Sequence, residues 1–206
     1  MKLWKFNNYE EYKDAQLVGY SAKVNTHSWV DTYSVRGIVS YIFDCNPEVS
    51  FGLCHGTRRG VEQEEFNKTF DRLGLNVTVI GTEIADEAQD RFPNTIEWDF
   101  HEVKDEWINS VNFIYSNSFD HSYKPKECLD SWMSCLSPNG IAIIEWTDCD
   151  INPRPMDPTG GTVDEYKVMI NDKYDLVDVL ENDPSADSGK DYKGKRFFFI
   201  VKNRNQ

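Results

Sequence analysis

The residues best placed to do chemistry form four polar clusters, each directly following a short apolar run. The first is Gly52-Leu53-Cys54-His55-Gly56-Thr57-Arg58-Arg59-Gly60, where small residues let the backbone approach a ligand closely. The second is Glu83, behind Val77-Thr78-Val79-Ile80-Gly81-Thr82; a carboxylate there can accept both hydroxyl hydrogens of a ribose. The third is Asp99-Phe100, an acid able to accept an adenine amino hydrogen beside an apolar wall. The fourth is Ser116-Asn117-Ser118-Phe119-Asp120-His121, in which His121, titrating near neutrality when unperturbed, and Asp120 are candidate general bases. Each has a plainer alternative: Glu83 as a helix-start carboxylate, Asp99 as a turn cap, His121 as a satisfied surface histidine. What favours a ligand site is the arrangement, with each cluster at a strand end.

The elements that must position these clusters alternate. Asn8-Tyr9-Glu10-Glu11 has the form of a helix start, and Val35, Ile38, Val39 and Ile42 repeat at helical spacing until Asn46-Pro47. Strands are expected at Val49–Cys54, Val77–Thr82, Ile96–Trp98, Val111–Tyr115 and Ile141–Trp146. Between them, Phe66, Phe70 and Leu73 mark the buried stripe of one helix, closed by Gly74. Leu129, Trp132, Met133 and Leu136 mark another, opened by Pro125. Pro138-Asn139-Gly140 reads as a turn, and Thr162-Val163-Asp164-Glu165 as a capping box. Two last strands, Leu176–Leu180 and Arg196–Lys202, flank a polar loop and can pair as a hairpin. The alternation predicts an α/β fold, a largely parallel sheet with helices on both faces. In such folds the ligand lies beyond the carboxyl ends of the strands.

Bulk properties narrow the partners. The 206 residues suit one domain, with a helical cap over 1–46 and a ligand-binding core over 47–206. A net charge of −13 repels phosphate backbones, and the densest basic cluster, Lys190 to Arg196, is short and interrupted. Nucleic acid is thus not an expected partner. The segment Met1–Asn7 lacks the apolar run of a signal peptide, and no stretch of about 18 apolar residues occurs. Cys45, Cys54, Cys128, Cys135 and Cys149 include no Cys-x-x-Cys, so reduced thiols and a cytoplasmic location are expected. Histidines at 27, 55, 101 and 121 lack metal-ligand spacing, so no metal is expected.

The stretch from Val49 to Trp146 resembles the core of class I S-adenosylmethionine-dependent methyltransferases. Asn112–Tyr123 followed by Leu136-Ser137-Pro138-Asn139-Gly140 carries the likeness best: a fourth strand, a loop with an aromatic or histidine, a helix ending in Leu-x-Pro-x-Gly, and an apolar fifth strand. The resemblance implies a Rossmann-like, seven-stranded sheet with an antiparallel C-terminal strand. It also implies S-adenosylmethionine as cofactor and methyl transfer to an acceptor, most simply a small molecule. Leu53, Cys54, His55, Gly56 and Thr57 would then underlie the methionine part. Glu83 would hold the ribose, Ile84 would pack on the adenine, and Asp99 with Phe100 would sit at the adenine rim. Asn117 and Ser118, in the loop after the fourth strand, would lie near the methyl, with His121 and Asp120 as base candidates. The sequence departs from the family at Cys54 and Arg58, where glycines are usual, and at Phe51-Gly52, where an acid is usual. Arg58 or Arg59 thereby becomes a candidate partner for the cofactor carboxylate.

Acceptor contacts are expected from Tyr9, Tyr12, Tyr20, Trp29 and Tyr33 and from the loop Asp148–Gly161 with its three prolines, unless the tyrosines only cover the sheet edge. Two other classes stay open. An NAD-dependent oxidoreductase would also use Glu83, but no Gly-x-Gly-x-x-Gly follows the first strand. A non-catalytic protein binding an adenosyl cofactor, or acting as a partner subunit, would suit the irregular first loop.

Overall fold

A computed structural model describes residues 1–26, 28–149, 151–182 and 194–204. His27, Asp150, the polar loop 183–193 and residues 190–193 of the short basic cluster lie outside the described residues.

The chain runs β1 (Lys2–Leu3), α1 (Tyr9–Lys23), α2 (Thr32–Cys45), β2 (Phe51–His55), α3 (Val61–Arg72), β3 (Thr78–Glu83), α4 (Glu87–Arg91), β4 (Thr95–Glu97), β5 (Val111–Ser116), α5 (Pro125–Cys135), β6 (Leu136–Thr147), β7 (Thr159–Gly160), α6 (Val163–Lys173), β8 (Asp175–Asn182) and β9 (Arg196–Lys202). Seven strands form one sheet in the order β4-β3-β2-β5-β6-β9-β8. All run parallel except β9, which is antiparallel to both neighbours. The expected α/β class, the hairpin of β8 with β9 and the antiparallel C-terminal strand are all present. Three elements had no sequence signal: the short α4, and β1 and β7, which pair as a separate two-stranded ribbon, Lys2 opposite Gly160 and Leu3 opposite Thr159.

Both faces of the central strands are apolar, and the pleat sends alternate residues to opposite sides. Leu53, Ile114, Ala142 and Ile144 pack on the α5 and α6 side with Trp132, Met133 and Ile170. Cys54, Phe113, Tyr115, Ile141 and Ile143 pack on the α2 and α3 side with Val35, Ile38, Phe66 and Phe70. The stripe expected on α3 holds for Phe66 and Phe70 but not for Leu73, which is 58% exposed. Leu73 is the C-cap, one residue past the helix, and Gly74 at φ +70 turns the chain there. Pro138-Asn139-Gly140 is drawn into β6 as an irregularity: Val111 pairs with Leu136 and Phe113 with Ile141. The partner strand advances by two residues while β6 absorbs the turn.

The helix starts read from sequence are present, one with a twist. Asn8 Oδ1 accepts from Glu11 N, but Glu11 Oε2 reaches back to Asn7 rather than to Asn8. Thr162 and Glu165 form the full capping box, and α6 continues beyond Ile170 to Lys173. Among the described residues no helix is long and apolar enough to cross a membrane.

The feature that matters for function is the reversal of strand order. From β2 the chain moves out through β3 to β4, then returns to place β5 on the other side of β2. At that reversal the loops after β2 and β5 part and leave a crevice at the carboxyl ends of the strands.

Candidate functional site

A cavity of about 440 Å³ fills this crevice, within the roughly 300–1,000 Å³ usual for small-molecule sites. Its floor comes from successive strand ends: Gly56 and Arg58 after β2, Glu83 and Ile84 at β3, Asp99 and Phe100 after β4, and Asn117, Ser118, Asp120 and His121 after β5. Its roof comes from α1 and from the segment holding Arg154 and Asp157.

The loop after β2 is shaped by its hydrogen bonds. Gly56 N and Thr57 N both donate to Thr82 O, 2.9 and 3.1 Å away, and Arg58 N donates to Glu83 Oε2 over 2.8 Å. Gly56 has φ +70, and a Cβ there would lie 2.7 Å from Ser118 Cβ, so glycine is required on both counts. Arg58 also takes a left-handed conformation, φ 47. The missing acid at position 52 has a packing explanation: a Cβ on Gly52 would lie 2.2 Å from the Phe113 ring.

Cys54 and His55 end β2 and Thr57 follows in the loop, yet none of the three lines the cavity. Cys54 is in the core on the α3 side. His55 is buried 4.9 Å from the Trp132 ring, with Nδ1 2.8 Å from Thr82 Oγ1, and burial pushes it down to about 3, keeping it neutral. Thr57 is buried with its hydroxyl unpartnered among the described residues. The pleat sends Cys54 and His55 to opposite faces of the sheet, and both faces are covered there.

Glu83 is a buried carboxylate held by backbone. Burial raises its pKa, and donation from Arg58 N, Ile84 N and Ala85 N opposes that rise. Asp99 is more engaged than its position alone suggested: Oδ1 faces His101 N and Nδ1, and Oδ2 accepts from Tyr9 Oη at 2.7 Å. It caps a turn and also lines the cavity. His101 Nε2 lies 2.8 Å from Ser122 Oγ, which completes a chain of the Asp-His-Ser type. Ser122 is fully buried and its oxygen also accepts from Lys124 N, so this chain holds the loop and offers no nucleophile.

His121 meets partners that are distant in sequence. Its Nδ1 lies 2.9 Å from Gln16 Oε1 and its Nε2 3.2 Å from Asp157 Oδ1. Gln16 Nε2 faces the Pro155 and Met156 carbonyls, which orients the amide oxygen toward the ring. Burial, with Lys23, Arg58 and Arg154 nearby, pushes His121 down to about 4 against the pull of Asp157. Burial works upward on Asp157, but His121, Lys23 and Arg154 outweigh it and hold the carboxyl below its usual range. The resting imidazole is therefore neutral, with Gln16 Oε1 on Nδ1 and the Asp157 carboxylate near Nε2. Asp120, His121 and Asp157 bring one donor atom each within 4.8 Å of one another, which their spacing in sequence could not show. Lys23 and Arg154 already supply positive charge to Asp157 there.

Several cavity residues escaped sequence reasoning. Tyr12, Gln16, Gly19, Tyr20 and Lys23 form one stripe of α1 facing the cavity; the tyrosines were candidates, and helical spacing would have added Gln16 and Lys23. Of the other aromatic candidates Trp29 lines the cavity, Tyr9 pins α1 to Asp99, and Tyr33 is exposed away from it. Glu62, buried in the first turn of α3, gave no signal, since a glutamate there ordinarily reads as a dipole-favoured surface residue. Two buried polar atoms of cavity-lining residues have no partner among the described residues: Tyr20 Oη and Glu62 Oε2. Such atoms fit a ligand that brings its own donors and acceptors.

No family model matches the chain, and a comparison with curated protein sequences finds no match. Solved structures do match its fold. The 1,6-didemethyltoxoflavin-N1-methyltransferase of Burkholderia thailandensis, with bound 1,6-didemethyltoxoflavin and S-adenosylhomocysteine, aligns over 98% of this chain and 92% of its own, at TM-score 0.67 and 13% identity. The plantazolicin methyltransferase BpumL, in complex with a triazolic desmethylPZN analog and S-adenosylhomocysteine, aligns over 95% and 96%, at TM-score 0.64 and 13% identity. The N-methyltransferase NodS of Bradyrhizobium japonicum, in complex with S-adenosylhomocysteine, aligns over 93% and 100%, at TM-score 0.63 and 12% identity. The chain thus has the Rossmann-like fold of class I S-adenosylmethionine-dependent methyltransferases, down to the antiparallel β9.

Proposed function

We propose that this chain transfers a methyl group from S-adenosylmethionine to a small-molecule acceptor. The observation that carries the reading is Glu83: a buried carboxylate at the end of β3, beside the strand-order reversal, lining a cavity that also takes in the ends of β2, β4 and β5. Each oxygen is steadied by a backbone N–H and keeps acceptor capacity for a ribose diol. Ile84 and Phe100 offer apolar contact for a purine, and Asp99 an acceptor for its amino group. Gly56 lets backbone meet the ligand, and Asn117 and Ser118 close the far wall. The solved methyltransferases that share this fold hold S-adenosylhomocysteine, which supports the same cofactor here.

When bound, the cofactor supplies an electrophilic methyl on a sulfonium, so the protein's work is alignment, exclusion of water and, for a hydroxyl acceptor, removal of a proton. His121 and Asp120 face the cavity and are the proposed proton acceptors. A proton taken by His121 Nε2 makes an imidazolium that the nearby Asp157 carboxylate stabilises by charge, while Gln16 keeps Nδ1 as donor. The roof formed by α1 and by Asp157 favours a small acceptor, and the charge of −13 opposes a nucleic acid. The free thiols of Cys45, Cys54, Cys128, Cys135 and Cys149 support a reducing, cytoplasmic setting.

Calorimetric titration with S-adenosylmethionine, S-adenosylhomocysteine and NAD tests the reading. Binding of both adenosyl ligands, abolished in Glu83→Ala, is the expected result. Binding of NAD alone would transfer the site to an oxidoreductase, and a folded protein that binds none of the three would end the enzyme reading.

A further inference from the structure

We propose that Glu62 seats the ammonium group of the cofactor's amino-acid end. This rests on the reading of the cavity as an S-adenosylmethionine site. Glu62 is 6% exposed, lines the cavity, and leaves Oε2 without a partner among the described residues. Its other oxygen is fixed: Asn117 Nδ2 and Ser28 Oγ donate to Oε1 at 3.1 and 3.3 Å. The carboxylate is thereby oriented and half satisfied, with one oxygen that no hydrogen bond among the described residues engages.

Location decides which donor. Glu83, Ile84, Asp99 and Phe100 stand at the ends of β3 and β4, on one side of β2. Glu62 is fastened to Asn117 beyond β5, on the opposite side. A nucleoside held at β3 and β4 must therefore send its tail across the end of β2, between Gly56 and Asn117, toward Glu62. The tail of S-adenosylmethionine is a zwitterion, and Glu62 and Arg58 are opposite charges lining this part of the cavity. Glu62 pairs with the ammonium and Arg58 with the carboxylate. The ring of Phe113 fills the space beside Gly52, so an acid could not stand there without repacking the sheet. Burial raises the free Glu62 carboxyl to about 7, against the lowering effect of its own backbone N–H and of Asn117, Arg58 and Ser28. An incoming ammonium favours the charged form, so binding expels the proton.

The test compares S-adenosylhomocysteine with its desamino analogue, which keeps the carboxylate, by calorimetry on wild type and Glu62→Gln. Loss of one charge-assisted hydrogen bond should weaken S-adenosylhomocysteine at least about ten-fold in the variant and leave the analogue within about two-fold. Equal weakening of both ligands, or of neither, overturns the proposal. Wild-type titrations at pH 7 in two buffers of different ionisation enthalpy give a second readout that needs no variant. S-adenosylhomocysteine should release roughly half a proton and the analogue none; equal release by both overturns the proposal. A folded wild type that binds neither ligand nor 5′-methylthioadenosine overturns the cofactor reading itself, which separates the two failures.

Discussion

The backbone N–H of Arg58 donates to Glu83 Oε2 over 2.8 Å, which fastens the loop after β2 to the end of β3. Glu83 therefore shapes the loop as well as facing the cavity. Glu83→Gln, which keeps the side-chain shape, should weaken S-adenosylhomocysteine by at least about ten-fold. Glu83→Ala should also loosen the loop, seen as faster hydrogen exchange at the Arg58 amide. Unchanged exchange in Glu83→Ala would show that the loop stands without it.

Glu62 makes a stability signature separable from binding. Its carboxyl is raised to about 7 by burial. The native state thus holds more protons than the unfolded chain between about pH 4.5 and 7, and stability falls as pH rises through that window. Glu62→Gln should therefore stabilise the ligand-free protein at pH 8, by up to about 3 kcal/mol, and change little at pH 4.5. Thermal unfolding at the two pH values measures this. A variant destabilised equally at both would make Glu62 a structural anchor.

His121 has the opposite sign. Burial depresses its imidazole to about 4. The unfolded chain then binds more protons than the native state between about pH 6.5 and 4, so stability is lost as pH falls through that range. His55, pushed down by burial to about 3, acts in the same direction. An NMR titration of the ring signals, assigned with His121→Gln, should show His121 neutral at pH 5.5. A midpoint near 6.5 would place the ring in open solvent and remove its protected role.

Arg196 holds the cap to the core. It is fully buried, pairs with Glu145 and with Asp31 at the start of α2, and also donates to the Trp29 carbonyl. Burial lowers the guanidinium pKa, but Glu145, Tyr115 and Asp31 outweigh it and keep the group charged. Arg196→Met should leave two carboxylates uncompensated and cost about 3–5 kcal/mol. Denaturant unfolding of the variant reads this directly. A loss below about 1 kcal/mol would mean that Glu145 and Asp31 find water when the arginine is gone.

Gly56→Ala tests the loop from its other side. The left-handed backbone and the 2.7 Å approach to Ser118 should combine to destabilise the protein by about 1–3 kcal/mol and to weaken S-adenosylhomocysteine. Binding at wild-type strength would show that the loop can shift without harm to the site.

The sequence by itself determined the layers and the strand-end positions. Val77 to Thr82 and Ile141 to Trp146 are apolar on both sides of the pleat, which only a sheet covered on both faces tolerates. Glu83, Asp99 and Asn117 followed because they come next after such strands, and the chain order of strands and helices sets where their ends lie. Tertiary structure decided which way a side chain faces and what meets it. Cys54 and His55 sit two residues from Gly56 or nearer, yet the pleat buries them, while Arg58 turns out on a left-handed backbone. Gln16, His121 and Asp157 meet only because α1 and the loop before β7 fold over the strand ends. Glu62 looks from sequence like any acid in a first helical turn; burial against Asn117 and Ser28, contacts made across the fold, turns it into an oriented carboxylate with one oxygen to spare. Local pattern reports burial along an element, whereas partners separated by many residues depend on how the elements pack.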